Sequence, residues 1–491
     1  MTERKSQKPA YITTTLPYVN SDPHIGFALE IVHADIIARY KKSLGFDVFF
    51  NTGTDEHGIK VHTKAQEQGK DTQGYVDEYS QKFRDLIGEL GLSEGINFIR
   101  TTDESHKKSA QAFWKKCFDA GYIYKKNYSV KYCVGCELEK TDSELVDGKC
   151  VFHPSLAIEL IEEENYFFKF SAFQEKLLAL YSERPDFVIP ASRFNEIKAF
   201  VESGLKDFSI SRLRTKMPWG ISVPGDDTQV MYVWFDALVN YISAIGWPSD
   251  MEKFQRYWPV IQFAGKDNLR QQSAMWQAML MAVGLAPSEK IIIHGFLTSA
   301  GQKMSKSLGN VVNPKEIVAE YGTDALRYFL AREVSTFEDS DFTAEKFKES
   351  YNANLANGIG NLTSRIMKMA QMHLAEPVVV GDFASVYAGE NSKNAIPQEF
   401  KDYLDAFEIQ KATDVAWKYI ADLDSFIQQS EPFKLVKTDR EKALVLIKEM
   451  VVSLHNIAGM LDIIIPQTAE KIRSAIAQNK MPSTPLFARK D

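Results

Sequence analysis

The sequence predicts an α/β fold in which a doubly wound parallel sheet is interrupted by an inserted segment and followed by an all-α bundle. Three observations predict it. The chain opens with a strand pattern, a helix pattern and a second strand pattern, separated by short joints. A cysteine-rich stretch breaks this pattern between about residues 120 and 230. From residue 351 onward the pattern is almost entirely helical, with amphipathic runs at 403–420 and 442–464 and a loop-like interruption at 381–397.

The elements of the predicted sheet follow from local patterns. Residues 11–18 alternate as in a strand, and a helix pattern with one apolar face begins at Gly26. Residues 47–51 are typical of a second buried strand. Two later apolar runs, 260–264 and 291–293, predict further strands of the same parallel sheet.

Each of the later strands is followed at once by glycine and by polar residues. Gly265, Lys266 and Asp267 follow the first strand, and His294 and Gly295 follow the second. In this architecture ligands bind at loops beyond the carboxyl ends of the strands. These residues therefore predict a ligand site at that edge of the sheet.

Length and composition are those of an ordinary multidomain globular protein. At 491 residues, with 44% hydrophobic and 25% charged residues, the chain is expected to form about three domains. The expected segments are 1–119 and 230–350 for the two halves of the α/β domain, 120–229 for the insertion and 351–491 for the helical domain. The sequence lacks a run of roughly 18 apolar residues and an N-terminal secretory signal, so we expect a cytoplasmic protein without a membrane partner. The net charge of −7 gives no sign of a nucleic-acid partner, so any RNA site must rest on local patches.

The cysteines predict a metal site. Cys133 and Cys136 form one chelating pair, and Cys150 and His153 form a second pair about 15 residues later. This spacing fits a tetrahedral zinc site whose four positions are all filled, and therefore a structural rather than a catalytic one. Cys117 stands apart on a helical pattern and is expected to be a buried core thiol.

A first phosphate-binding motif lies at the joint between the first strand and the first helix. It contains His24, Ile25, Gly26 and Phe27. Exposed backbone N–H groups and the helix dipole favour phosphate at such a joint, and His24 can donate to phosphate oxygens. Taken alone, the motif is better explained as an ordinary strand-loop-helix turn that carries an incidental histidine.

A second motif is Lys303-Met304-Ser305-Lys306-Ser307, in a loop bracketed by glycines. Two lysines spaced by three can neutralise charge that moves across a triphosphate, mainly in the transition state. A solvated basic loop is the alternative for any isolated Lys-x-x-Lys pattern.

Together the two motifs resemble those of the class I aminoacyl-tRNA synthetases, in which a Rossmann-like ATP domain precedes a helical anticodon-binding domain. Residues 16–18 (Leu-Pro-Tyr), 53–58 (Gly-Thr-Asp-Glu-His-Gly) and 233–241 resemble substrate-binding segments of the methionyl branch. That branch also carries a zinc knuckle in its inserted domain. Phe27 stands where the first motif usually has a histidine, and the methionyl branch tolerates this departure.

The resemblance implies specific site residues. It makes His24, Lys303 and Lys306 catalytic. The implied ATP-binding residues are His24, Gly26, Phe27, Gly265, Asp267, His294, Lys303 and Lys306. The implied methionine-binding residues are Leu16, Tyr18, Asp55, Trp234, Ala237, Leu238, Tyr241, Gln272 and Trp276.

One wall of the implied methionine pocket departs from the family. Gln272 stands where the family usually has a histidine near the methionine side chain. A glutamine amide can still donate to the weak sulfur acceptor or to the hydroxyl of Tyr241. Trp234 and Trp276 would supply aromatic walls suited to a polarizable thioether, although isolated tryptophans are more often core residues.

In the helical domain, residues 361–365 resemble the family's anticodon-reading helix. Asn361 and Arg365 lie one turn apart and could hydrogen-bond bases, while Phe433 corresponds to the family's stacking tryptophan. On spacing alone, Asn361 and Arg365 would be solvated surface residues.

The resemblance implies ATP-dependent attachment of L-methionine to tRNA(Met) through methionyl-adenylate, with Mg²⁺ accompanying ATP and one structural Zn²⁺ per chain. A monomer is expected, because the family's dimerising C-terminal module has no counterpart in this sequence. The alternatives are another class I synthetase, such as the cysteinyl enzyme, and a non-catalytic tRNA-binding paralogue.

Overall fold

The computed structural model describes residues 7–136, 138–299, 301–304, 310–381, 387 and 396–491. Its strands are β1 (Pro9–Thr13), β2 (Asp47–Thr54), β3 (Asn97–Arg100), β4 (Ile123–Cys133), β5 (Leu138–Lys140), β6 (Leu145–Val146), β7 (Lys149–Cys150), β8 (Ile158–Phe168), β9 (Val188–Ile189), β10 (Phe208–Ser209), β11 (Ser211–Leu213), β12 (Ser222–Val223), β13 (Asp226–Met231), β14 (Ile261–Gly265), β15 (Lys290–His294), β16 (Leu297–Ser299), β17 (Gln302–Lys303) and β18 (Ser340–Phe342).

The α-helices are α1 (Ile25–Ser43), α2 (Ile59–Glu67), α3 (Thr72–Glu89), α4 (Glu104–Asp119), α5 (Gln174–Glu183), α6 (Ala191–Glu202), α7 (Val233–Ala237), α8 (Asn240–Ser243), α9 (Met251–Tyr257), α10 (Trp276–Ala282), α11 (Pro314–Tyr321), α12 (Thr323–Tyr328), α13 (Ala344–Ser350), α14 (Asn361–His373), α15 (Gln398–Asp405), α16 (Ile409–Ser430), α17 (Pro432–Thr438), α18 (Arg440–Leu461) and α19 (Pro466–Ala477). Wider π-helical turns occupy Gln271–Met275, Phe329–Glu333 and Tyr351–Gly360.

The central sheet is parallel throughout, with the strand order β3-β2-β1-β14-β15-β9. Strands from both ends of the α/β region lie side by side, since β1 pairs with β14. The predicted doubly wound parallel sheet is therefore confirmed. Its edge strand β9 comes from within the segment 120–229 that the sequence predicts as an insertion.

Helix α1 begins where a side chain caps it and ends where glycine turns the chain. Nδ1 of His24 accepts a hydrogen bond from the backbone N–H of Gly26 at 3.1 Å. Beyond the helix, Gly45 adopts a φ of +85°, which favours glycine. Nearly every residue from Ile25 to Ala38 is buried, because α1 packs against the sheet on one side and the segment around Leu330 on the other. Helix α1 is therefore buried on nearly all sides and is a core helix.

The inserted segment forms a separate antiparallel sheet with the order β10-β8-β4-β5. The long strands β4 and β8 pair over their whole length, from Ile123 beside Phe168 to Cys133 beside Ile158. The short hairpin of β6 and β7 follows at the far end. This arrangement places the cysteine cluster at the end of a two-stranded arm.

Beyond the α/β region the described chain folds into a helix bundle, as predicted. The predicted continuous amphipathic pattern across residues 403–420 is in fact two helices, α15 and α16. Phe407 between them has a φ of +60°, which no α-helical residue adopts, so the chain changes direction there. Most of the predicted loop at 381–397 lies outside the described residues.

Helix α18 is long and apolar enough to cross a membrane, but 56% of its most apolar window is buried within the protein. It packs against α14, α16, α17 and α19. Its apolar composition is thus explained by its central place in the bundle.

The bundle is joined to α1 through a buried arginine. Arg327 of α12 is fully buried and pairs with Asp35 of α1 at 2.8 Å. The same guanidinium donates to the carbonyl oxygens of Ile463 and Ile464, just before α19. A buried charge must be paired and hydrogen-bonded, so this contact ties the two parts of the chain at one defined position.

Candidate active site

The segments after β1 and β2 run side by side at the carboxyl edge of the central sheet. The backbone N–H of Asp55 donates to the carbonyl of Pro17 at 2.9 Å, and the N–H of Val19 donates to the carbonyl of Asp55 at 3.2 Å. Tyr18 and Asp55 thereby form a parallel β-bridge. Asp55 is buried, while Leu16 and Tyr18 are half-buried. Three residues predicted to bind one ligand are thus brought together by backbone pairing.

His24 lies exposed at the N-terminus of α1. Because its Nδ1 accepts from Gly26, the neutral ring carries its proton on Nε2 and presents a donor there. A Cβ on residue 26 would come within 2.9 Å of the His24 ring, so only glycine permits this cap. Phe27 is different, because its ring is buried edge-to-face against Phe83, with centroids 5.2 Å apart.

Gly265, Asp267 and His294 meet where β14 and β15 end. A Cβ on Gly265 would lie 2.8 Å from Oδ1 of Asp267 and 3.6 Å from Cε1 of His294. Asp267 therefore approaches Gly265 too closely for a Cβ at that position, while His294 lies at an ordinary contact distance. Asp267 is exposed and His294 is buried.

Both ring nitrogens of His294 contact oxygen atoms of the protein. Nδ1 lies 2.8 Å from the carbonyl oxygen of Gly295, and Nε2 lies 2.9 Å from the carboxylate of Glu30 in α1. Burial lowers the pKa of His294, but the hydrogen bond and the charge of Glu30 outweigh burial and raise it above its usual value. The other oxygen of Glu30 accepts from the backbone N–H and the hydroxyl of Thr15, both at 2.6 Å.

Sequence reasoning missed Glu30. It links α1, the end of β15 and the residue that precedes Leu16, so it connects the predicted ATP and methionine segments. The available signal was a single carboxylate within the apolar run Phe27-Ala-Leu-Glu-Ile-Val. A buried charge in such a run requires a partner.

The remaining predicted methionine-binding residues lie on α7 and α8, between these two helices, on the π-helical turn and at the start of α10. Five of them are buried, namely Ala237, Leu238, Tyr241, Gln272 and Trp276, and Trp234 is half-buried. The rings of Tyr241 and Trp276 lie 5.8 Å apart. Trp276 also lies 5.8 Å from Phe113 of α4, so it belongs to the core as well as to the pocket wall.

A buried carboxylate supports this wall, and sequence reasoning missed it too. Asp236 of α7 is fully buried and lies 2.7 Å from Nδ1 of His57 and 2.8 Å from Nε2 of His106. Burial raises the pKa of Asp236, but the two imidazoles outweigh burial and hold that pKa below its usual value. The carboxylate therefore ties α4, α7 and the loop that contains Asp55.

The second motif is described only in part. Gln302 and Lys303 form β17, which pairs with β16. Asp341 secures the turn between them, because it accepts from the backbone N–H of Gly301 at 2.8 Å and from the hydroxyl of Thr298 at 2.7 Å. Lys306 and the side chain of Lys303 lie outside the described residues.

After the second motif the chain returns to the first. The backbone N–H of Ile25 donates to the carbonyl of Val312 at 3.0 Å. Both ends of the lysine-bearing loop are therefore attached to structure that borders the active site.

The four predicted metal ligands converge at the end of the antiparallel arm. Their ligand atoms lie within 4.8 Å of one another. Sγ of Cys136 is 3.2 Å from Nδ1 of His153 and 3.4 Å from Sγ of Cys150, while Sγ of Cys133 is 3.9 Å from the same Nδ1. Such separations fit a tetrahedral zinc ion bound at about 2.0–2.3 Å to each ligand. The group could thus bind zinc. Cys117 is buried in the core, as predicted, and burial raises the pKa of its thiol.

Comparisons with known proteins agree with this geometry. The family model for class I tRNA synthetases (M) matches residues 10–156 and 135–367. The methionine–tRNA ligase of Thermotoga maritima is 40% identical over 485 residues, covering 96% of this chain and 76% of its own length. That of Rickettsia typhi is 41% identical over 469 residues, covering 94% and 92%. A solved structure of Mycobacterium tuberculosis methionyl-tRNA synthetase in complex with methionyl-adenylate superposes with a TM-score of 0.90 at 35% identity, covering 98% of this chain and 100% of that one.

The chain belongs to the methionyl-tRNA synthetase family.

In this synthetase the arm that carries the cysteine and histidine cluster contacts residues on both sides of the candidate active site. Lys60, just after the Asp55 loop, donates to the carbonyl of Gly135 between two cysteines at 2.6 Å. Arg270, just after the Asp267 loop, pairs with Glu144 at 2.9 Å. The arm therefore contacts the chain both before and after the segment 120–229.

The residues that resemble the synthetase family's anticodon readers lie on the surface of the bundle. Asn361 is exposed at the start of α14. Arg365, one turn later, is 33% exposed and forms an ion pair with Asp424 of α16. Phe433 on α17 is 49% exposed. The ion pair with Asp424 was not foreseen, because spacing along one helix does not reveal a partner on another.

Proposed function

We propose that this chain attaches L-methionine to tRNA(Met) at the expense of ATP, through methionyl-adenylate, for protein synthesis. The observation that carries the proposal is the meeting of the predicted ATP and methionine segments at one edge of the central sheet, where Tyr18 and Asp55 are bridged and Glu30 connects Thr15 to His294. Family membership supports the same reaction.

Methionine would bind with its ammonium at Asp55 and its side chain toward Tyr241 and Trp276. A buried carboxylate suits an ammonium partner, and aromatic walls suit a flexible, polarizable thioether. The remaining proposed contacts come from Leu16, Tyr18, Trp234, Ala237, Leu238 and Gln272. This leaves the methionine carboxylate free to attack the α-phosphorus of ATP, forming methionyl-adenylate and releasing pyrophosphate.

ATP would lie across the N-terminus of α1. His24 offers its Nε2–H to phosphate oxygens, Gly26 and Gly265 allow close approach, and Asp267 is exposed beside them. Lys303 and Lys306 would neutralise the departing pyrophosphate. Mg²⁺ that travels with ATP would add positive charge at the phosphates. Phe27 and His294 would contribute apolar and ring-face contacts, since the Phe27 ring is packed on Phe83 and both nitrogens of His294 face protein oxygens.

The metal would be one structural Zn²⁺ per chain, held by Cys133, Cys136, Cys150 and His153. Four protein ligands leave no open coordination position for substrate. We expect elemental analysis of the purified protein to give one zinc per chain. Cys136→Ala should lose the zinc and loosen the inserted domain without abolishing adenylate formation. Freshly purified protein that contains no zinc would contradict this assignment.

Each of the four segments proposed from sequence would then have its own role in the reaction. Segments 1–119 and 230–350 would activate methionine, 120–229 would carry the zinc, and 351–491 would bind the anticodon through Asn361, Arg365 and Phe433. Class I enzymes transfer the acyl group to the 2′-hydroxyl of the terminal adenosine, and we propose the same acceptor here. We further propose that the protein is cytoplasmic, since cysteines without disulfide bonds suit a reducing compartment. We also propose that it is a monomer. Light scattering at micromolar concentration should give about the 55.7 kDa of one chain.

Amino-acid-dependent ATP–pyrophosphate exchange, run separately with all twenty amino acids, tests the reaction. We expect exchange with methionine alone. Exchange with cysteine would favour the cysteinyl alternative. A complete lack of exchange, with tRNA binding retained, would favour a non-catalytic paralogue.

A further inference from the structure

Two buried carboxylates hold the loop that contains Asp55. Glu56 is fully buried, and its carboxylate accepts hydrogen bonds from Arg100 of β3 at 2.7 and 2.8 Å. The second carboxylate is that of Asp236 on α7, which contacts the same loop at His57. A buried charge needs partners at fixed positions, so both contacts restrict where the backbone of this loop can lie.

The ring of His57 is held by two different groups. Its Nδ1 lies 2.7 Å from Oδ2 of Asp236 and must donate to it, because an ionised carboxylate only accepts. The ring also packs near the indole of Trp219, with centroids 5.8 Å apart. Nε1 of Trp219 in turn donates to the carbonyl oxygen of Glu56 at 2.6 Å. His57 is therefore fixed both by a charge and by a neighbour that is itself bonded to the loop.

Asp236 is anchored independently of the loop. Its other oxygen, Oδ1, lies 2.8 Å from Nε2 of His106 in α4. Nδ1 of His106 lies 2.9 Å from Oγ of Ser243, the last residue of α8. Asp236 and His106 are both 0% exposed. The carboxylate is thus a fixed point to which His57 is attached.

Helix α7 carries both this fixed point and part of the proposed side-chain wall. Trp234 and Ala237 lie on α7 beside Asp236, and Asp55 lies two residues before His57. The contact between His57 and Asp236 therefore joins the proposed ammonium site to that wall. One methionine must reach both at once, so the separation between them determines how well each contact is made.

We propose that His57, held by Asp236 and His106, is a positioning residue that fixes the Asp55 carboxylate relative to the α7 wall and so sets the affinity of the pocket for an ammonium group. We call His57, Asp236 and His106 the histidine clamp. In a desolvated site the attraction between opposite charges depends strongly on their geometry, and a displacement of about 1 Å can cost on the order of 10²-fold. This rests on the proposed function, in that Asp55 must bind the methionine ammonium.

The test compares two ligands that differ in the ammonium group. The KM for methionine in pyrophosphate exchange is measured beside the inhibition constant of methylthiobutanoate, which keeps the thioether and the carboxylate but lacks the amine. The ratio of that inhibition constant to the KM for methionine is called the ammonium preference. A pocket that is merely loosened would bind both ligands less tightly, whereas a displaced Asp55 would weaken methionine alone.

His57→Ala should raise the KM for methionine and lower the ammonium preference by about tenfold or more. The KM for ATP and kcat should stay within about threefold, because the clamp contacts neither ATP nor the reacting carboxylate. His57→Asn should restore the ammonium preference to within about threefold of wild type. The asparagine amide nitrogen can take the place of Nδ1 and donate to Asp236.

His106 and Asp55 provide two further arms of the test. His106→Ala should lower the ammonium preference by a smaller factor, about three- to fivefold, because Asp236 keeps His57 but loses its anchor. His106→Gln should recover it, since the glutamine amide nitrogen can take the place of Nε2. Because His57 acts through Asp55, Asp55→Ala with His57→Ala should have no higher KM for methionine than Asp55→Ala alone.

His33→Ala is the matched control. His33 of α1 is another buried histidine, and its Nε2 lies 2.9 Å from the carbonyl oxygen of Leu330. Its loss should lower the melting temperature and leave the ammonium preference unchanged.

The proposal is overturned if His57→Ala keeps the ammonium preference within about twofold of wild type. It is also overturned if His57→Ala raises the KM for methionine as much in the Asp55→Ala protein as in wild type. Where His57→Ala does not fold, the same twofold criterion applies to His106→Ala. Failure of the wild-type protein to exchange with methionine would instead overturn the proposed function.

Discussion

The two surfaces at which ligands are proposed to bind differ in how their polar side chains are held. In the proposed methionine pocket Tyr241 and Gln272 are 1% exposed, and Gln272 is hydrogen-bonded to the buried amides of Gln262 and Gln277. On the bundle, Arg365 is 33% exposed and has an ion pair with Asp424, itself 34% exposed. The polar side chains of the pocket are held by buried neighbours. Arg365 is held by a partner that is exposed to solvent.

The difference follows from the sizes of the ligands. A small amino acid offers few contacts, so selectivity depends on protein groups that are already oriented and desolvated. Bases of a tRNA loop bring large stacking faces and many hydrogen-bonding edges, so exposed side chains can rearrange around them. An exposed ion pair is worth only about 0–1 kcal/mol, and Arg365 can therefore exchange Asp424 for a base at little cost.

The largest effect is expected in the pocket. Asp55→Ala should lower methionine-dependent exchange by at least about 10²-fold, because an ammonium left without its buried partner costs about 3–5 kcal/mol. The loss should fall mainly on the KM for methionine. Steady-state kinetics at varied methionine measures it, and a loss confined to the KM for ATP would refute the assigned role.

Lys306→Ala should also lower the exchange rate by at least about 10²-fold, equal to roughly 2.7 kcal/mol. Its charge is needed as pyrophosphate leaves, so kcat should fall more than the KM for methionine. A change of only a few-fold would remove Lys306 from the catalytic group.

A smaller and more selective effect is expected on the bundle. Arg365→Ala should weaken aminoacylation by about 1–3 kcal/mol and leave methionyl-adenylate formation nearly intact, because we propose that the adenylate forms in a different domain. Asp424→Ala is the matched control, since it breaks the same ion pair but keeps the guanidinium.

If Arg365 reads a base, Asp424→Ala should aminoacylate at least as well as wild type. Equal losses in both variants would mean that the ion pair matters only for the fold. Equal loss of adenylate formation and aminoacylation in Arg365→Ala would point to misfolding.

The smallest effect concerns pH. Because Glu30 raises the pKa of His294, the protonated ring stabilises the folded state fully below the unfolded histidine pKa of about 6.5. That stabilisation is lost as pH rises through the higher folded pKa. Glu30→Gln keeps an acceptor for Thr15 and removes the charge.

The difference in free energy of unfolding between wild type and Glu30→Gln should therefore be about 1–2 kcal/mol near pH 6 and shrink toward pH 9. Denaturant unfolding at several pH values measures it. A difference that grows with pH would contradict the assigned charge states.

Much of this molecule was predictable from local sequence. Apolar periodicity located α1, β2, β14 and β15 to within a few residues, because a core helix and parallel strands leave strong patterns. The cysteine spacing located the candidate metal cluster, because two chelating pairs at this spacing indicate a site with four ligands. Motif resemblance also identified the residues that the fold brings to one edge of the sheet.

What only the tertiary structure decided is how those residues are held. Glu30 contacts His294, which is 264 residues away in the sequence, and Asp236 contacts His57, which is 179 residues away. Arg365 meets a carboxylate on another helix, and Phe407 separates two helices that one amphipathic pattern had joined. The hydrogen bonds that join the buried side chains of Gln262, Gln277 and Ser288 likewise connect segments that adjoin only in the folded chain. Periodicity and motifs indicate the type of each element, the face that it buries and the residues suited to bind a ligand. The partner of a buried polar group is chosen by packing between distant segments, which local sequence does not contain.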